Sequence, residues 1–123
     1  MAVRSNCSCG GEVLGIEVIG LLEADEMIAL MNECYAKFDF RHAAWNFRRS
    51  SLSGMSVASF RKIASAGAIF AEKRGPDAKT AMLVNTDAEV ALFRAFAHSV
   101  ADISQTKFAA FRSEQEMEDW LAG

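Results

Sequence analysis

The sequence is short of the features that mark whole classes of protein. It has a single proline, Pro76, and no Pro-, Gly- or Ser-rich stretch, so nothing in it reads as a linker or a domain boundary. No apolar run approaches the length of a membrane span, and Met1–Gly11 lacks the apolar core of a signal peptide. No membrane insertion and a cytoplasmic location are therefore expected. Lys and Arg do not gather on any segment and the formal net charge is −3, which leaves no basic stripe for a nucleic acid. No P-loop, no G-x-G-x-x-G, no G-x-S-x-G elbow and no Ser-His-Asp order is present. The chain is not expected to be an enzyme, and no cofactor is predicted.

Cysteine is scarce too. Cys7, Cys9 and Cys34 are odd in number, and the chain is long enough to fold without disulfides. Cys7-Ser8-Cys9 offers two legs of a metal site, with His42 or His98 as further ligands. The pair has no second pair at metal-finger spacing, so the expectation is two ordinary thiols in an N-terminal strand and no metal. Cys34 reads as a small buried hydrophobe.

What is present is a chain of 123 residues, 51% hydrophobic and 24% charged, which suits one domain over residues 1–123 with a single core. Short β-like runs alternate with helical ones. Val3–Cys9 reads as a strand ended by the hairpin signal Gly10-Gly11, and Val13–Ile19 alternates with Leu14, Ile16 and Val18 on one face. Glu23–Lys37 follows a helical stripe of Met27, Leu30, Met31 and Cys34. Ala43–Arg49 is the next strand, and Ser56–Arg74 one long helix stopped by Gly75-Pro76. Lys79–Thr86, apolar on both faces, reads as a central parallel strand. Thr86-Asp87-Ala88-Glu89 is a capping box opening a helix to about Ala101. Thr106–Arg112 is the last strand, and Ser113-Glu114-Gln115-Glu116 a second capping box before a short helix.

The order β-β-α-β-α-β-α-β-α predicts an α/β fold with an open, mostly parallel five-stranded sheet. Its first strand forms an antiparallel edge, and right-handed crossovers put helices on both faces.

Three stretches carry a family resemblance. "GEVLGIEVIGLLEADEMIALM" is similar to the opening strand, turn and helix of the small bacterial SpoIIAA-like proteins, relatives of the STAS domain also described as STAS/SEC14-like. "WNFRRSSLSGMSVASFRKIA" resembles their next strand, Leu-Ser-Gly-hydrophobic-Ser turn and second helix. "TAMLVNTDAEVALFRAFAHSV" and "FAAFRSEQEMEDWL" resemble the third strand, the helix with a central Arg, the last strand and the closing Trp-Leu helix. The resemblance spans Gly11 to Leu121 and implies a STAS-like α/β module that works by binding.

It also points to a place. In phospho-regulated STAS proteins the acceptor serine starts a helix, and here Ser53, followed by Gly54 and Ser56, occupies about that position. No Asp precedes it. Helix-start amides can donate either to a phosphate, which Arg49 or Arg48 could pair, or to a neutral serine cap, and the cap is the first expectation. Arg48 and Arg49 are adjacent in a strand, so they face opposite ways unless a bulge intervenes. His42 and His98 have no group to orient them for catalysis, and Asp39, Asp87 and Asp102 lie at element ends. On the helix after Thr86, Leu92 and Phe96 form a second stripe beside Val90, Phe93, Ala97 and Val100. That stripe is either a wide core face or, with Arg94, an exposed interface. The functional expectation is a homodimer or a protein-binding regulatory module. A carrier of a small apolar or lipid-like ligand is the alternative, and a switch at Ser53 a third reading.

Overall fold

The structure is a computed structural model and describes residues 4–104 and 106–123. Val3, the expected start of the first strand, lies outside the described residues. A single five-stranded sheet with strand order β1-β2-β3-β4-β5 runs through the rest. β1 (Arg4–Gly10) turns through Gly11, at φ +62°, into β2 (Val13–Leu21), and the two pair antiparallel. β3 (His42–Ser51), β4 (Lys79–Leu83) and β5 (Lys107–Phe111) then add in parallel.

The expected α/β order is present, and the distribution of its helices is sharper than expected. α1 (Ala24–Lys37), α2 (Val57–Gly67) and α4 (Asp87–Ser99) all pack on one face with the buried residues of β2 and β3. In a sheet whose parallel strands are added in sequence order, crossovers of one hand deliver every helix to the same face. Among the described residues only α5 (Glu114–Ala122), which follows the last strand and crosses to nothing, covers the other face. It sets Met117 and Leu121 on Ala81 and Leu83, puts Trp120 5.5 Å from Phe111, and receives Lys79 Nζ on the Trp120 carbonyl at 2.7 Å.

The long helix expected over Ser56–Arg74 is broken. α2 ends at Gly67, a 3-10 turn spans Ala68–Phe70, and α3 is the short Ala71–Arg74. At the break the chains pack closely, and a Cβ on Gly67 would stand 3.2 Å from Met31 Sδ. The tighter turn then brings the Phe70 ring edge-on to Tyr35 at 5.3 Å. Gly75, at φ +83°, and Pro76 end α3 as the sequence indicates.

The main core is a run of rings between sheet and helices. Trp45 stacks on Phe47, Phe47 on Phe93, and Phe60 on Phe96 at 4.9 Å. Such pairs add about 0.5–1.5 kcal/mol each beyond the area they bury. Leu14, Ile16 and Val18 of β2 are fully buried beneath them, and Met27, Leu30, Met31 and Cys34 of α1 close the layer as their spacing predicts.

Candidate functional site

The end of β3 is where the sequence places its site, and a bulge shapes it. β2 advances from Glu17 to Ile19 while β3 advances from Asn46 to Arg49, one residue more. Asn46 Oδ1 accepts the Arg48 backbone N–H at 3.0 Å inside the bulge. Arg48, half-buried, donates its guanidinium to the Arg112 carbonyl, whereas Arg49 is exposed. The two arginines are parted in spite of the bulge.

Beyond them the chain does not enter the helix at Ser53. Leu22 N–H donates to the Ser51 carbonyl at 3.0 Å, Leu52 anchors in the core, and Met55 N–H closes a turn on the Leu52 carbonyl at 3.0 Å. Gly54 lies so close under Leu22 that a Cβ there would be 3.2 Å from its carbonyl oxygen. The helix cap is Ser56, whose Oγ accepts Ser59 N–H at 3.1 Å. The expectation that Ser53 is the cap is thus corrected: the Leu52–Met55 turn holds Ser53 three residues ahead of Ser56, where the helix was expected to begin. Ser53 is exposed, with its hydroxyl 3.0 Å from that of Ser51. Arg49, Ser53, Gly54 and Ser56 share one end of the sheet, but no hydrogen bond joins Arg49 to Ser53 among the described residues.

Of the two readings of the helix stripe, the burial of its residues matches the wide core face. Phe96 is only 2% exposed, Leu92 is half-buried against the main core, and Arg94 is exposed. α4 packs against both α2 and β5, so both of its apolar stripes are spent on the core. Its outer face is Ala88, Ala91, Arg94, Ala95 and His98.

A crevice that the sequence reading did not assemble lies beside these residues. From β4 the chain leaves for α4 on one face, and from β5 it leaves for α5 on the other. Between the two helix starts, outside the carboxyl ends of β3, β4 and β5, opens a space of about 710 Å³. Arg48, Asn85, Asp87, Arg94, Arg112 and Glu116 line it. A divergence of this kind is where open α/β sheets bind their ligands. Asn85 Nδ2 donates to the Arg48 carbonyl at 2.7 Å, and Arg112 Nη1 lies 3.1 Å from Asp87 Oδ1. Thr86 and Glu89 exchange both bonds of the capping box, each at 3.1 Å, while at α5 Ser113 accepts Glu116 N–H at 3.2 Å. Arg94 makes no ion pair among the described residues. The signal in the sequence was there to be used: two helix-capping tetrads, each directly after one of two neighbouring strands.

The histidines and cysteines are taken up by the fold. His42 Nδ1 accepts Lys79 N–H at 3.0 Å, and desolvation, aided by the Lys79 charge, holds its pKa below the ordinary 6.5. His98 is exposed on α4. Cys7 and Cys9 pack half-buried on the main core, and Cys9 Sγ donates to the Asp39 carbonyl at 3.5 Å. Burial, and next a hydrogen bond with Cys7, push the Cys34 thiol up to about 12. No cluster of three or more His, Cys, Asp or Glu side chains suited to a metal ion occurs among the described residues. Asp102 pairs with Arg61 at 3.1 Å, which lowers its pKa.

No protein-family model matches the chain, and the comparison with curated proteins finds no match. Solved structures do match. An uncharacterised protein of the DUF3478 family from Shewanella loihica PV-4, with a SpoIIAA-like fold, superposes over 98% of this chain and 94% of its own. The TM-score is 0.60 and the identity 14%. The anti-sigma factor antagonist SpoIIAA in its unphosphorylated form aligns over 99% of both chains with a TM-score of 0.49 and 17% identity. The fold of this chain is SpoIIAA-like, as its sequence resemblance implies.

Proposed function

We propose, taking the SpoIIAA-like fold as the premise, that this protein acts by binding and not by catalysis, as a regulatory interaction module. Its contact surface is the carboxyl end of the sheet: the crevice between α4 and α5 and the adjoining Arg49–Ser56 segment. The observation that carries this reading is the divergence of α4 and α5 to opposite faces around Arg48, Arg94 and Arg112. Exposed Arg94 and Arg49, with Val57 48% exposed beside the Ser56 cap, supply the mixed polar and apolar surface that a partner protein meets. Ser53, exposed on the same end, is the residue through which phosphorylation would change that surface. A lipid carrier is less well supported, because the cavity beneath the helices is only about 50 Å³.

A photo-crosslinking residue placed at Arg94 should give one discrete adduct in cells, lost on Arg48→Glu. The same residue at Glu33, on the outer side of α1, should give none. Equal labelling at both positions, or none at Arg94, would remove the crevice from the contact surface. Sedimentation of the purified protein decides whether that adduct is a second copy, the homodimer expected from the sequence.

A further inference from the structure

Arg74 is a buried cation without an acid. It is 6% exposed, and its Nε, Nη1 and Nη2 donate to the Arg41 carbonyl at 2.9 Å, Thr80 Oγ1 at 3.0 Å and the Lys79 carbonyl at 2.8 Å. The guanidinium also lies over the Phe40 ring at 5.3 Å and the Tyr35 ring at 5.6 Å. No carboxylate pairs with it among the described residues. A buried charge is costly unless it is neutralised, and carbonyl and ring contacts only moderate that cost.

This cation lines the cavity beneath the helices, and the polar groups around it are donors in surplus. A guanidinium has five N–H groups, so two remain after its three bonds. Tyr35, 3% exposed, accepts the Trp45 indole N–H at 3.1 Å, yet its own O–H has no acceptor among the described residues. Thr80, 5% exposed, is in the same position: its hydroxyl oxygen accepts from Arg74, and its O–H donates to no acceptor among the described residues. The opposite wall is hydrocarbon and thioether, with Met27, Met31, Phe60 and Ile63 among its residues. Such a wall repels an ion that is polar all round and suits one with a hydrocarbon end.

We propose that this cavity binds a short-chain monocarboxylate, its carboxylate on Arg74, Tyr35 and Thr80 and its alkyl end against Met27, Met31 and Phe60. One negative charge answers one guanidinium, and two oxygens answer the surplus N–H and O–H donors. The volume sets the size. At about 10–15 Å³ of such space per water-sized group, about 50 Å³ takes three to five heavy atoms. That corresponds to acetate or propionate, and butyrate requires a methionine side chain to move aside, which its three rotatable bonds permit. A second cavity of about 50 Å³ shares Gly67, Arg74, Ser104 and Thr106 with it and includes the exposed Ala68 and Pro76. The site is at the amino ends of β4 and β5, away from the crevice, and does not depend on the binding role proposed for it.

The test is titration of the full chain with acetate, propionate, butyrate and inorganic phosphate at matched ionic strength, followed by calorimetry or saturation-transfer NMR. Saturable one-to-one binding of propionate or butyrate, at least tenfold tighter than phosphate, is the expected result. Thr80→Val should weaken it about tenfold and Arg74→Met abolish it. Should Arg74→Met fail to fold, Ala64→Leu decides, since it fills the cavity and leaves every donor in place; binding must then be lost with the fold intact by circular dichroism. No saturation in the wild type at tens of millimolar would overturn the proposal in favour of ordered water. Phosphate binding as tight as propionate, or binding undiminished in Ala64→Leu, would overturn it as well.

Discussion

The two ends of the sheet hold arginines in opposite circumstances. At the carboxyl end Arg48 and Arg112 reach into an open crevice, Arg112 against Asp87, and Arg94 stands in solvent. At the amino end Arg74 is enclosed by rings, carbonyls and one hydroxyl, with no acid paired to it among the described residues. Water screens the first group, so each member is individually worth little, and the set is free to meet a partner. Nothing screens the second, so its energetics are those of the fold itself. The same residue type is open to solvent in one place and a structural tie in the other, and burial alone makes the difference.

Substitutions that strike the enclosed side should cost most. Phe96→Ala removes a ring stacked on Phe60 and edge-on to Phe93 and should lower unfolding stability by about 3–5 kcal/mol in denaturant titration. An interfacial Phe96 would instead change the assembly state with little loss of stability. Arg74→Met strands the Arg41 and Lys79 carbonyls and should cost about 2–4 kcal/mol. Arg112→Ala, which breaks only an exposed pair with Asp87, should cost about 0–1 kcal/mol, an effect that fades in high salt. Equal losses at Arg74 and Arg112 would erase the contrast between the two ends.

Within the Ser53–Ser56 segment the same logic acts on a smaller scale. Ser56→Ala deletes the cap of α2 and should destabilise by about 1 kcal/mol, whereas Ser53→Ala should stay within about 0.5 kcal/mol. The smallest effect belongs to His42. Its folded pKa lies below the ordinary 6.5, so the unfolded chain binds the extra proton. The stability this contributes is complete above about pH 6.5 and is lost as pH falls through the unfolded and then the folded value. His42→Gln should flatten that part of the stability profile between roughly pH 7 and 5.

Several of these features were legible in the sequence and others were not, for reasons that can be named. Leu14, Ile16 and Val18 alternate in sequence and are buried together because a strand has a period of two. The Thr86 capping box closes as written because all its atoms lie within one turn. Ser53 was the wrong cap because nothing local announces the Leu52–Met55 turn, which depends on Leu52 reaching the core. Phe96 could be core or surface until α2 brought Phe60 against it. The crevice was missed because its residues come from three strand ends far apart in the chain. Arg74 gave no signal, since a charged residue in a last helical turn normally faces water.

By itself, then, the sequence determined the alternation of strands and helices, the parallel order of the sheet and the fold it resembles. Those follow from periodicities and caps that act over a few residues. Only the tertiary structure decided which serine caps, that both stripes of α4 face the core, where α4 and α5 part, and that one arginine is sealed among rings. Each of those depends on what a distant segment presses against it, and packing, unlike periodicity, is not written locally.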